Sequence, residues 1–149
     1  WSSDVCSSDL EGGKLGILAI DLDHFKVVND EEGHAAGDQL LAAVARRLEA
    51  TIRAADAAAR MGGDEFSILL VDADQASATE MANRLVSELA KPYPGIQTRV
   101  SASIGIAVYP QAGADLAELL ENADRALYAA KRGGRNTCRL AGCAKTSEV

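Results

Sequence analysis

At 149 residues with 48% apolar side chains, the chain is long enough for one domain with a real core. Its net charge of −7 excludes a general nucleic-acid binder, so a phosphate ligand needs local cations. No apolar run is long enough to span a membrane, and three cysteines without metal-like spacing point to a reducing, cytoplasmic setting without a disulfide framework.

The first ten residues, WSSDVCSSDL, have neither hydrophobic periodicity nor a signal-peptide core. They resemble the conceptual translation of a short-read sequencing adapter. Residues 1–10 are therefore read as foreign to the natural chain, 11–140 as the domain and 141–149 as a tail. KLGILAIDLD (14–23) is apolar and then acidic, a buried strand ending in carboxylates. The stretch 24–38 reads as a loop. Leu40, Leu41, Val44 and Leu48 then recur at helical spacing and predict a helix over 37–52. AAARM (57–61) and FSILLV (66–71) flank two glycines and predict a β-hairpin with Asp64 and Glu65 at its tip. A second helix is expected over 75–90, a strand over 98–109, and a third helix over 115–134. This last helix carries Leu116, Leu119, Leu120, Ala123, Leu127 and Ala130 on one stripe, with Lys131 and Arg132 before a glycine stop. TCRL (137–140) closes the chain as an edge strand. The order β-α-β-β-α-β-α-β predicts an α/β (α+β) sandwich with a mostly antiparallel central sheet flanked by helices.

RMGGDEFSILL (60–70) raises a chemical question, because it puts two acids on the least hindered backbone of the chain. Glycine takes positive φ without a Cβ clash and lets another molecule approach the main chain. By itself the stretch reads equally as an ordinary polar turn.

DLDHFKVVND, GHAAGDQLL, RAADAAARMGGDEF, SIGIAV and ADRALYAAKRGGRN resemble, in order and spacing, the GGDEF domain of diguanylate cyclases. The match runs from Leu15 to Asn136. The resemblance implies a nucleotidyl-cyclase-like, palm-like fold and an enzyme that condenses two GTP into cyclic di-GMP and pyrophosphate. Such an enzyme works as a homodimer, each domain presenting one GTP to the other. It also implies two Mg²⁺ or Mn²⁺ ions per active site. Attack of a ribose hydroxyl on an α-phosphate needs in-line geometry and charge neutralisation, which a pair of divalent ions supplies through carboxylate ligands.

By the same resemblance, Asp21, Glu65 and Asp64 are metal ligands together with the Leu22 carbonyl, and Glu65 aids deprotonation of the 3′-hydroxyl. Gly62 and Gly63 let the nucleotide lie against the backbone. Asn29 and Asp38 read guanine, and Lys26, Lys131 and Arg135 contact phosphates. Phe25 matches a position near the nucleotide and reads equally as a core aromatic. His24 and His34 read as loop or core histidines. Arg53 and Asp56 match an RxxD inhibitory site for product cyclic di-GMP, with Arg84 contributing from the next helix. An RxxD is also common as an i,i+3 salt bridge. The rival expectations are an inactive cyclic di-GMP receptor and a GTP-binding regulatory domain attached to a phosphodiesterase. The opening helix and DxLTGLxNRR-like stretch of the family have no counterpart here, so this reading takes the domain as N-terminally truncated. It expects the chain as written to be unstable or weakly active, whereas the natural gene product is an active cyclase. No nucleic-acid or membrane contact by the domain is expected.

Overall fold

Nine residues, Leu15–Asp23, form the central strand β1 and set the layout of the whole domain. Successive side chains of a strand point to opposite faces. Leu18, Ile20 and Leu22 enter the larger core and Leu15, Ile17 and Ala19 the smaller one. Because both faces are covered, the strand reads as an unbroken apolar run rather than an alternating one. The computed structural model describes residues 13–141; the proposed foreign segment 1–10 and nearly all of the tail lie outside them.

Around β1 stand β2 (Ala57–Gly62), β3 (Glu65–Val71), β4 (Ser101–Tyr109) and β5 (Cys138–Leu140). The sheet order is β2-β3-β1-β4-β5. All neighbours are antiparallel except β4 and β5. The helices are α1 (Phe25–Glu32), α2 (His34–Thr51), α3 (Gln75–Leu89) and α4 (Leu116–Arg132). Val28 of α1, Leu40, Leu41, Val44 and Leu48 of α2, and Met81, Leu85 and Leu89 of α3 fill the larger core. On the opposite face α4 covers the smaller core with Leu119 and Ala123. The result is the expected mostly antiparallel sheet between helical layers.

The position of α4 depends on Gly105 in β4. A Cβ there would lie 2.0 Å from the Ala123 carbonyl oxygen and 2.3 Å from the Leu127 nitrogen. Only glycine lets the helix backbone rest directly on the strand. The Asp115 side chain accepts from the Glu118 amide at the helix start, and Lys131 and Arg132 occupy its last turn, where cations are favoured.

Three boundaries differ from expectation. Residues 25–32, read as loop, are the helix α1. FKVVNDEE is a poor intrinsic helix former, with two β-branched residues, an Asn and an Asp. Tertiary contacts hold it: Val28 is fully buried, and the Glu32 carboxylate accepts from the Gln97 and Thr98 amides at 2.8 and 2.7 Å. Those same bonds take Gln97 and Thr98 away from the sheet, so β4 starts at Ser101 rather than 98. The helix expected from 37 begins at His34, with Gly33 as its N-cap.

Candidate active site

The pleat of β1 continues past its apolar residues. Ile17 and Ala19 face α4, so Asp21 and Asp23 face it too. Asp21 pairs directly with Glu65 on β3 and with Ser103 on β4. Directly opposed antiparallel residues present their side chains on one face. The Leu22 amide donates to the Asp64 carbonyl at 3.2 Å, fastening the hairpin tip to the end of β1. The tip itself turns through Gly63 at φ +48°, and the Arg60 Nε donates to the Gly63 carbonyl at 2.9 Å.

Lys131, at the end of α4, reaches the same corner. Its ammonium lies 3.2 Å from Asp21 Oδ2 and 3.5 Å from Asp23 Oδ1. The other Asp21 oxygen, Oδ1, is buried and has no hydrogen-bond partner among the described residues. Burial, and then the neighbouring Asp64 carboxylate, push the Asp21 carboxyl up to about 6 against the opposing pull of Lys131. A buried, unpartnered carboxylate oxygen beside a second carboxylate suits a hard cation with oxygen ligands. Asp21, Asp64 and Glu65 are the residues that would hold it. Among the described residues no three His, Cys, Asp or Glu side chains already converge in ligating geometry, and the Lys131 ammonium is the cation that Asp21 meets. A cleft of about 410 Å³ opens beside this corner, lined by Asp21, Met61, Glu65, Asp124, Tyr128 and Lys131.

Sequence reasoning missed Asp23. It is 1% exposed and accepts from Ser101 Oγ at 2.7 Å, Ser103 Oγ at 2.8 Å and the Asn136 amide at 3.0 Å. It thereby joins β1 to β4 and to the loop after α4. The available signal was the alternation in DLD followed by the paired serines of SAS on β4, which the register sets opposite one another.

The expected base-reading residues lie on the other helical layer. Asp38, in the first turns of α2, lines a cleft of about 510 Å³ with Arg60 and Phe66 of the hairpin. Asn29 on α1 lies against Gly37, where a Cβ would strike its Oδ1. Phe25 is half-buried against the larger core. Lys26 is exposed, 4.0 Å from Asp30. Lys131 and Arg135 do not converge: Lys131 is turned onto Asp21 and Asp23, whereas Arg135 lines a separate cup with His24. His34 is exposed at the start of α2.

RAAD forms a closed turn after α2. Arg53 Nε and Nη2 donate to the two Asp56 oxygens at 2.9 and 2.8 Å, and Nη2 also donates to the Val71 carbonyl at 2.6 Å. The Val71 and Arg53 amides complete the coordination of Asp56 at 3.1 and 3.0 Å. Burial pushes the Asp56 carboxyl upward, but these bonds outweigh it and leave it below the ordinary carboxylate value. Arg84 of α3 joins Arg53 in lining an adjoining pocket of about 170 Å³.

The family model described as "Diguanylate cyclase, GGDEF domain" matches residues 5–137. The chain belongs to the GGDEF family. It is 48% identical over 125 residues to the bifunctional diguanylate cyclase/cyclic di-GMP phosphodiesterase MucR of Pseudomonas aeruginosa, covering 83% of this chain and 18% of that protein. Among solved structures, the GGDEF domain of TpbB from the same organism is similar with a TM-score of 0.87 at 39% identity, over 93% of this chain and 91% of the other. The GGDEF domain of DgcB from Caulobacter crescentus, solved in complex with c-di-GMP, has a TM-score of 0.81 at 30% identity, over 93% and 84%. The chain spans less than a third of the length of MucR and of the diguanylate cyclase TpbB. As a GGDEF domain it belongs to the machinery of cyclic di-GMP signalling.

Proposed function

We propose that this GGDEF domain is a diguanylate cyclase, condensing two GTP into cyclic di-GMP and pyrophosphate across a homodimer. The observation that carries the reading is the Asp21–Glu65 pairing at the end of β1, with Asp64 and Lys131 at the same corner. Two divalent ions held there, Mg²⁺ or Mn²⁺, would neutralise the triphosphate and favour in-line displacement. Asp21, Asp64 and Glu65 would hold the cations, and Glu65, more exposed than its neighbours, would take the proton of the 3′-hydroxyl. On arrival of polyphosphate, the Lys131 side chain would exchange its ion pair with Asp21 for phosphate oxygens, and Arg135 would contact the same polyphosphate from the loop after α4. Asp38 accepts from the guanine N1–H and N2 amine, a donor pair that adenine lacks, and Asn29 completes the base contact. By the same resemblance Lys26 would contact the phosphates and Phe25 would lie near the nucleotide.

The Arg53–Asp56 turn and Arg84 take product cyclic di-GMP as a feedback inhibitor, a reading supported by the DgcB domain solved with that ligand. The alternative, an inactive receptor, would bind at the same turn without turnover. Incubation of a dimerised form with GTP and Mg²⁺ separates the two, with cyclic dinucleotide and pyrophosphate measured and the double substitution Asp64→Ala, Glu65→Ala as control. Binding of cyclic di-GMP with no product formed would replace the cyclase reading by the receptor.

A further inference from the structure

Gly37 closes the first turn of α2 and is buried there. Its backbone is helical and not left-handed, so conformation does not call for glycine at this position. Glycine is the poorest helix former after proline, and alanine is the best. The reason for a bare Cα lies across the helix pair. A Cβ on Gly37 would overlap Asn29 Oδ1 and come within 3.0 Å of Asn29 Cγ. The Asn29 carboxamide of α1 therefore rests directly on the α2 backbone, one residue ahead of Asp38.

Neither helix is placed to give way. Gly33, at φ +96°, reverses the chain between them, its amide donating to the Asn29 carbonyl at 3.1 Å and its carbonyl accepting from the Gly37 amide at 3.2 Å. Val28 of α1 is fully buried. The Glu32 carboxylate fastens the end of α1, accepting from the Gln97 amide at 2.8 Å and from the Thr98 amide and hydroxyl at 2.7 and 2.5 Å. Among the described residues the side-chain hydrogen bonds of α1 are all made by Glu32. The Asn29 carboxamide is thus located by packing alone, half-exposed, with its donor and acceptor unengaged.

We propose that Gly37 is a positioning residue for base recognition, its bare Cα being the seat that orients the Asn29 carboxamide beside Asp38. The use of Asn29 and Asp38 as base contacts rests on the cyclase reading, but the seat does not. A carboxamide carries a donor and an acceptor, so its orientation decides which group it presents, whereas an ionised carboxylate only accepts. A base edge that mixes donors and acceptors, as that of guanine does, needs the amide fixed. A methyl group at position 37 is relieved at least cost by turning Asn29, because that is the free end of a side chain and both helices are anchored. Alanine would therefore improve the helix, keep the fold and misdirect the amide.

The test is calorimetric titration of the full chain and its Gly37→Ala, Asn29→Ala and doubly substituted variants with a non-hydrolysable GTP analogue and with inorganic tripolyphosphate. Gly37→Ala should bind the analogue about tenfold more weakly, the loss of one hydrogen-bonded contact. Its tripolyphosphate affinity should be unchanged and its melting temperature equal to the parent's or higher. Asn29→Ala should show the same loss, and the double variant no further loss, because both substitutions act through one group. Parent affinity in Gly37→Ala, additive losses in the double variant, or an equal loss for tripolyphosphate would each overturn the seat. A Gly37→Ala chain that fails to fold would also overturn it, since the seat requires the clash to fall on the Asn29 side chain. Gly37-dependent binding of the analogue by a chain that never converts GTP would preserve the seat and defeat the cyclase reading. Turnover with analogue affinity indifferent to Gly37 would do the reverse, and a parent chain that does not bind the analogue would defeat both.

Discussion

The Asp21 corner and the Arg53–Asp56 turn each set an aspartate beside a cation, with opposite results. Asp56 receives two side-chain bonds from Arg53 and two from backbone amides, and its carboxyl lies below the ordinary value. Asp21 shares one ammonium with Asp23, leaves an oxygen unpartnered and is raised to about 6. The first arrangement is complete in itself, so any ligand at Arg53 must compete with Asp56. The second is complete only when something positive arrives. Satisfaction of the carboxylate oxygens, more than burial, separates a closed structural knot from an open site.

Several measurements would break or sharpen that contrast. The largest expected effect is on turnover. Asp21→Asn should reduce cyclase activity by about 1,000-fold or more, since a held cation supplies several kcal/mol of charge stabilisation, while far-ultraviolet circular dichroism stays unchanged. Near-normal turnover in this variant would remove Asp21 from the metal site. Next in size, Gly105→Ala should destabilise the domain by about 3 kcal/mol in urea unfolding, because the added Cβ meets α4 backbone that cannot yield. It should also separate Lys131 from Asp21 and erase the contrast at its source.

The third measurement is the pH dependence of stability, and here the two aspartates should give mirror images. Asp21 binds its proton more tightly when folded, so its contribution is full below the unfolded value near 3.8 and is lost as pH rises through about 6. Without divalent cations, Asp21→Asn should therefore be more stable than the parent above pH 6, on the order of 1–3 kcal/mol. Asp56 is lowered, so its contribution is present above about 3.8 and is lost as pH falls through its depressed folded value. Asp56→Asn should cost about 2 kcal/mol at neutral pH by stranding Arg53 and the Val71 amide, with the deficit closing in acid. Parallel rather than opposed pH profiles would show that the two carboxylates are not different in kind. The smallest effect calibrates the others: Lys26→Ala should change stability by less than about 0.5 kcal/mol, because its partner Asp30 is 4.0 Å away in open solvent.

Much of this was legible from the chain. Leu40, Leu41, Val44 and Leu48 fall at helical spacing and are buried. GILAIDLD ends in the two aspartates that face α4, because a period of two carries the parity of Ile17 and Ala19 on to Asp21 and Asp23. The helix α1 was not legible, since FKVVNDEE has weak intrinsic preference and owes its shape to Glu32 reaching residues 97 and 98, about 65 positions away in sequence. The contact of Asn29 with Gly37 carried no sequence signal; a folded chain was needed to lay α1 against α2.

By itself the sequence determined which residue types are present, the alternation of buried and exposed positions, and the motifs that mark a GGDEF domain. These are local properties, fixed by spacing along the chain. The tertiary structure decided which carboxylate is satisfied and which is left open, and that Lys131 turns to Asp21 while Arg135 turns away. Those outcomes depend on strand register and on the close seat of α4 over Gly105, which bring side chains together across more than a hundred residues of chain.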